Sequence, residues 1–178
     1  NVNRQLHAIE GEFGKSKVQA MAERLRAINP ELNIHVIDDF LTPDNIPMML
    51  EQIQARRFVV LDATDDVNMK ITLAAYCGKK IPLVICGAAG GKLDPTRIKI
   101  EDLAKTTQDP VLSKIRYSLR KSHGYTSDPK RRFGITAIYS DEPRQGVATG
   151  GLACSGYGSA VTVTASFGFA AAAATLAL

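Results

Sequence analysis

Residues Val59-Val60-Leu61-Asp62-Ala63-Thr64-Asp65-Asp66 run from a short apolar stretch into three carboxylates. The β-branched and large apolar side chains at 58–61 are what a strand covered on both faces needs. The acids then emerge at its carboxyl end, where open α/β sheets bind ligands. A simpler use competes with that one: Asp65 or Asp66 can accept the free N–H groups of a helix starting near Val67. On this segment alone both readings stand.

Two further groups bear on anions. Asn1, Asn3, Arg4 and Gln5 precede Gly14-Lys15-Ser16-Lys17, which opens a helix. A helix N-terminus attracts phosphate through its free N–H groups and dipole, and Arg4 and Lys17 would add full charges. Taken singly, Lys17 reads as a solvated lysine and Asn-Arg-Gln as turn chemistry. The net charge is only +4, yet Lys114, Arg116, Arg120, Lys121, Lys130, Arg131 and Arg132 face a single acid, Asp128, within 114–132. Such a cluster suits an anionic partner. Tyr117, Tyr125 and Phe133 are the few aromatics beside it, which favours attraction to a nucleic-acid backbone over base stacking.

Cys77, Cys86 and Cys154 are odd in number and widely spaced, so neither a disulfide framework nor a CxxC zinc pair can be drawn, and a reducing cytoplasm fits best. Cys154 precedes the final helix, where a thiolate can be activated, although cysteine is equally a small buried apolar residue. His7, His35 and His123 lie on unlike segments and suggest no metal site.

The elements that must position these groups alternate. Apolar residues Val18, Met21, Ala22, Leu25 and Ile28 recur at three-and-four spacing and predict a helix over 14–28, closed by Asn29-Pro30. A strand is expected at 34–38, a helix at 43–55 capped by Thr42, a strand at 58–62, a helix at 67–79 and a strand at 81–86. This order predicts an α/β fold with a doubly wound, mainly parallel sheet and right-handed crossovers. Beyond Gly87-Ala88-Ala89-Gly90-Gly91 come an alternating stretch at 92–100, a charged helix from Pro110 to about Lys121, a basic and mobile loop over 122–133, and a strand at 134–140. With 178 residues, 1–178 reads as one domain, with a basic helix and loop at 111–133 and an uncharged C-terminal helix at 155–178. That last stretch is diluted by Ser, Thr and Gly, so a buried or interface helix is preferred to membrane association.

Together, Asn1, Arg4, Gln5, Lys17, Asn29-Pro30, Asp62 and Asp65 follow the order and spacing of the ThiF/MoeB/HesA superfamily of ATP-dependent adenylating enzymes, related to ubiquitin-activating enzymes. The chain resembles that Rossmann-like family over nearly all its length. Val36-Ile37-Asp38-Asp39-Phe40-Leu41-Thr42-Pro43, Ala75-Tyr76-Cys77, Gly87-Ala88-Ala89-Gly90-Gly91-Lys92-Leu93-Asp94-Pro95-Thr96, Asp102-Leu103-Ala104-Lys105-Thr106 and Gln108-Asp109-Pro110 are similar to its TcdA (CsdL/YgdL) subgroup, the tRNA threonylcarbamoyladenosine dehydratases. The resemblance implies ATP-driven cyclisation of threonylcarbamoyladenosine in tRNA to a hydantoin. A carboxylate is a poor electrophile, and transfer to AMP would give it a leaving group. Arg4 and Lys17 would bind ATP phosphates and stabilise charge at the α-phosphorus, Asp65 would hold Mg2+ on the triphosphate, and Asn1 and Gln5 would position nucleotide. The basic cluster, Lys114 through Arg132, would meet tRNA phosphates. Cys154 matches a subgroup cysteine and would be the nucleophile if one exists.

The same resemblance implies a homodimer, is compatible with a monovalent cation, and leaves room for a cysteine desulfurase or sulfur-acceptor partner. It also places a Gly-rich phosphate loop, the strand before it and a ribose-binding acid upstream of Asn1, so the expectation is that these residues are part of a longer protein; a second departure is expected within 144–151. Asp66 stands where many relatives carry Asn. The competing functions are a sulfur-carrier adenylyltransferase of the ThiF or MoeB kind, against which the lack of CxxC pairs weighs, a non-catalytic tRNA- or partner-binding module, and an NAD-dependent oxidoreductase, for which no hydride-transfer acid or base is apparent.

Overall fold

The computed structural model describes residues 2–53, 55–78, 80–144 and 158–178, and the chain divides into two compact units, Asn1–Leu41 and Thr42–Leu178. In the first, turns lead into helix α1 (Lys17–Ile28), whose buried residues are Ala20 and Ala22. Ser16 holds the N-cap position without a side-chain hydrogen bond, and Asn29 closes the helix with its N–H on the Leu25 carbonyl. Pro30 lacks the N–H that another turn would need. The strand expected at 34–38 does not form: these residues carry no ladder. Alternating apolar residues favour an extended chain, but a strand exists only through the N–H and C=O groups of a neighbour, and the unit contains no other strand among the described residues.

The second unit is built on a four-stranded sheet of order β1-β2-β4-β3, formed by β1 (Val60–Asp62), β2 (Leu83–Cys86), β3 (Ile98–Asp102) and β4 (Thr136–Ser140). The pairs β1/β2 and β2/β4 are parallel, while β3 runs antiparallel to β4. The sheet is thus mixed and mostly parallel. Side chains alternate between its faces. Val84 and Ile138 turn toward helix α5 (Val161–Leu176), whose Val163, Phe167, Ala171 and Ala174 complete a buried cluster. The small side chains Ala171 and Ala174 let the helix approach closely. Leu83, Ile85 and Ala137 are buried on the opposite face, where helix α3 (Val67–Cys77) touches β2 and packs on α4 (Pro110–Ser122). Leu112, Ile115 and Leu119, three and four residues apart, form the buried stripe of α4.

Two expectations for this unit need correction. The strand predicted at 58–62 is paired only from Val60, and Leu61 is 46% exposed. The exposure of Leu61 shows that the apolar run does not mark burial on both faces; among the described residues β1 is also an edge strand, bonded to β2 alone. The helix predicted over 43–55 shortens to α2 (Ile46–Glu51). Its N-cap is Asn45 rather than the expected Thr42, which lies in the preceding turn, where Thr42 N–H donates to Asn45 Oδ1 at 2.7 Å and Asn45 N–H to Thr42 Oγ1 at 3.3 Å. No helix among the described residues is long and apolar enough to cross a membrane.

Candidate functional site at the strand carboxyl ends

β1 and β2 both end on one side of the sheet, and the segments leaving them, 63–66 and 87–90, border a cavity of about 230 Å3. The three acids after β1 divide their work. Asp62 is buried: its Oδ1 accepts from Thr64 N–H at 2.9 Å and Thr64 Oγ1 at 2.7 Å, and pairs with Lys70 Nζ at 3.1 Å. Asp66 is the N-cap of α3, with Oδ1 accepting from Asn68 N–H at 2.7 Å and Met69 N–H at 3.1 Å. Asp65, between them, lines the cavity, exposed and engaged by no hydrogen bond or ion pair among the described residues. One turn of chain thus satisfies two carboxylates and leaves the third toward the cavity.

Lys70 is a residue that sequence reasoning missed. It is 2% exposed, anchored on Asp62 Oδ1 and on the Asp62 carbonyl at 3.4 Å, and its side chain reaches the cavity wall. The signal was present: Lys70 occupies the same stripe of α3 as the buried Leu73, Ala74 and Cys77, and a lysine on a buried stripe needs a carboxylate partner. Asp109 was missed too. Its Oδ1 accepts from Leu112 N–H at 2.9 Å, capping α4, and its Oδ2 from Ala88 N–H at 2.8 Å. That second bond ties the loop after β2 to the start of α4. A Cβ on Gly87 would run into the Asp109 carboxylate and Leu112, so the close approach needs glycine.

Other expected site residues fall elsewhere. Arg4, Gln5 and Lys17 belong to the first unit; Arg4 donates to Asn3 Oδ1 at 3.1 Å, and Lys17 is exposed at the first position of α1. Asn1 and Cys154 lie outside the described residues. Burial pushes the Cys77 thiol up to about 11, with the nearby Asp62 charge adding to it, and also raises that of Cys86. Both are protonated, unreactive thiols at neutral pH.

The basic cluster separates into two kinds of residue. Lys114 and Lys121, one heptad apart on α4, are exposed with Tyr117, and Lys121 Nζ sits 5.7 Å from the centre of that ring. Arg116 and Arg120 are half-buried and hold structure: Arg116 donates to Thr106 Oγ1, and Arg120 donates to the Thr126 carbonyl at 3.3 Å while stacking 5.3 Å from the Phe133 ring centre. Arg131 and Arg132 are exposed and line a cavity of about 360 Å3 with His123 and Tyr125; Lys130 is exposed beside them. The loop carrying them was expected to be mobile and is instead tied. Asp102 accepts from Phe133 N–H at 2.9 Å and Gly134 N–H at 2.8 Å, Tyr125 OH donates to the Ala74 carbonyl at 3.2 Å, and Lys105 reaches the Pro129 carbonyl. These ties come from residues 24 to 51 positions away in sequence, which composition does not reveal.

On the far side of the loop after β2, Lys92 is 1% exposed. Its Nζ donates to the carbonyls of Ser140 at 2.6 Å, Glu142 at 2.9 Å and Gln108 at 3.4 Å. Burial pulls its proton affinity below the ordinary lysine value. The Glu142 carboxylate in turn accepts from the N–H groups of Leu93 and Asp94, both at 2.9 Å.

Comparison with known proteins identifies the family. The ThiF family model matches residues 1–176. The chain is similar to the tRNA threonylcarbamoyladenosine dehydratases of Haemophilus influenzae, at 42% identity over 95% of this chain and 67% of the relative, and of Escherichia coli, at 41% identity over 96% and 69%. Its fold is similar to the crystal structure of the Escherichia coli dehydratase TcdA in complex with ATP, with a TM-score of 0.87 and 43% identity over 99% of this chain and 69% of the other. The AMP complex of that enzyme matches equally, with a TM-score of 0.87 and 42% identity. By the family model, by sequence identity and by overall fold, the chain belongs to the ThiF family, in its tRNA threonylcarbamoyladenosine dehydratase branch.

Proposed function

We propose that this chain performs the ATP-dependent dehydration of threonylcarbamoyladenosine in tRNA to its cyclic hydantoin. The observation that carries the reading is the unengaged Asp65 carboxylate beside Lys70, in a cavity at the carboxyl ends of two parallel strands. This is the place where such sheets receive nucleotides, and the relative with the same fold has been solved with ATP. In the reaction the threonyl carboxylate attacks the α-phosphorus of ATP and pyrophosphate leaves. An internal nitrogen of the threonylcarbamoyl group then attacks the activated carbonyl carbon, AMP departs with the carboxylate oxygen, and the substrate has lost one water.

Each charged group has a task set by its surroundings. Lys70 is held by Asp62, so its ammonium is pre-aimed at the cavity wall and loses little freedom when charge develops there. Asp65 would hold Mg2+ against the triphosphate. A single exposed carboxylate fits that role, because Mg2+ keeps several waters and takes its other oxygens from phosphate. Arg4 and Lys17 would bind the phosphates, with Asn1 and Gln5 positioning the nucleotide, and the exposed cations Lys114, Lys121, Lys130, Arg131 and Arg132 would attract the tRNA backbone. The superfamily resemblance adds a homodimer, which sedimentation tests. Cys154 is the one thiol left as a candidate nucleophile, and full activity of Cys154→Ala retires it.

Incubating the full-length protein with ATP and threonylcarbamoyl-modified tRNA, then weighing the released nucleoside, tests the reading. Loss of one water is expected, and an unchanged mass overturns it. Asp65→Ala should lower turnover by about a hundredfold or more with the melting temperature unchanged, since Asp65 makes no internal bond; normal turnover removes Asp65 from the site.

A further inference from the structure

The segment Gln108-Asp109-Pro110 lines a second, more open groove of about 360 Å3 together with Ser113, Arg116 and Arg144. Arg144 lines both, so the groove is a continuation of the cavity. Gln108 is the one non-glycine among the described residues with positive φ, at 54°. That backbone costs on the order of 1 kcal/mol, and Lys92 holds it in place through the Gln108 carbonyl. Backbone of this kind collects at ligand-binding segments. The segment is immobilised on its other side by Asp109, whose two oxygens are occupied by the N–H groups of Ala88 and Leu112. The one acid lining the groove thus has both oxygens hydrogen-bonded to backbone, and the remaining charged side chains of the lining are Arg116 and Arg144.

Arg116 is pre-aimed. Its Nη1 donates to Thr106 Oγ1, and that hydroxyl donates in turn to the Leu103 carbonyl at 3.1 Å. A guanidinium fixed at one nitrogen keeps the rest of its fork for an anion, and phosphate oxygens match that fork. Arg116 also stands within the field of Arg120, and burial and that second charge both lower its hold on its proton. An anion in the groove would relieve the repulsion.

We propose that this groove is a phosphodiester subsite for RNA: Arg116 and Arg144 take the phosphate next to the nucleotide whose side chain enters the cavity, and Gln108 forms part of the groove wall. The identity of that RNA as modified tRNA rests on the dehydratase reading. The groove holds the substrate by its backbone, so that a reactive carboxylate reaches the nucleotide cavity from one side only.

The test uses the full chain and two variants, Arg116→Ala and Ser113→Glu. Ser113 is exposed and lies in the groove, and only its backbone N–H is engaged, on the Asp109 carbonyl at 2.9 Å, so Ser113→Glu brings a negative charge there without unseating the fold. Binding of modified tRNA is measured across a salt series, and binding of a fluorescent ATP analogue is measured alongside. Both variants are expected to weaken tRNA binding by roughly tenfold and to lower the slope of log K against log salt by about one, with ATP-analogue affinity unchanged within about twofold. Arg116→Lys should restore part of the binding, because charge returns without the fork. Unchanged tRNA affinity and slope in Ser113→Glu overturns the proposal, as does a loss confined to the ATP analogue, which would assign the groove to the nucleotide's own phosphates. Wild-type protein that binds the tRNA in this salt-dependent way but removes no water sinks the dehydratase reading and leaves the subsite standing.

Discussion

The two units of the chain carry comparable chemistry on different foundations. Residues 42–178 position Asp65 and Lys70 from a sheet whose Val84, Ile85, Ala137 and Ile138 are completely buried. Residues 1–41 carry Arg4, Gln5 and Lys17 on turns and one helix whose buried side chains are only Ala20 and Ala22. Leu6 at 61%, Phe13 at 65% and Phe40 at 87% stay exposed. Ionisable groups act at a defined place only where packing fixes the backbone under them. The second unit supplies that packing itself, and the first does not.

Hydrogen exchange addresses this difference most directly. Amides of α1 should exchange faster than those of β2 and β4 by roughly a thousandfold or more, since local opening of a weakly buried helix lies far below global unfolding. Equal protection would erase the contrast. Next in size, Phe167→Ala should destabilise the second unit by about 3–5 kcal/mol in denaturant melts, whereas Leu25→Ala in α1, already 38% exposed, should cost well under that. Lys70→Met should cost about 3–5 kcal/mol as well, because it leaves the Asp62 carboxylate buried beside no cation; a near-neutral result would show the pair to be dispensable for packing. The helix caps give a finer comparison: Asp66→Ala should cost about 1 kcal/mol and Ser16→Ala a few tenths at most, since only Asp66 bonds its helix.

The smallest expected effect is a matter of acid. Lys99 first, and Arg97 after it, hold the Asp141 carboxyl down at about 2. A carboxyl lowered in the folded state contributes stability above its unfolded value near 3.8 and loses it as pH falls toward 2. Asp141→Asn should therefore flatten the decline of the melting temperature between about pH 4 and pH 2. Since the pair is solvent-screened, a small change is expected. A decline identical to the parent's would place acid sensitivity elsewhere.

Much of the second unit was legible in the residues. The capping role of Asp66, the helix α4 with its Asp109-Pro110 start, and the strand feeding the acids all follow from local periodicity and caps, which act within a few positions. What escaped depends on distant partners. Nothing near Ile34-His35-Val36-Ile37 says whether a neighbouring strand is there to pair with it. The loop over 122–133 reads as free on composition, and only Asp102 and Tyr125 show that it is tied. Asp109 drew no structural reading of its own, because the Ala88 amide that makes it a strut lies 21 positions earlier. Arg116 and Arg120 read as members of the cluster that would meet tRNA phosphates, and only the fold shows that both also hold internal structure.

Lys92 has a consequence for how the carboxyl-end loops stay assembled. Three carbonyl oxygens from Gln108, Ser140 and Glu142 converge on one ammonium, an arrangement that a free cation could also satisfy. Here the counter-ion is covalently tethered to the chain. It can be neither dialysed away nor chelated nor exchanged for a competitor, so the junction of those loops keeps its shape whatever the salt around it, even while the RNA contacts we propose nearby rise and fall with that salt.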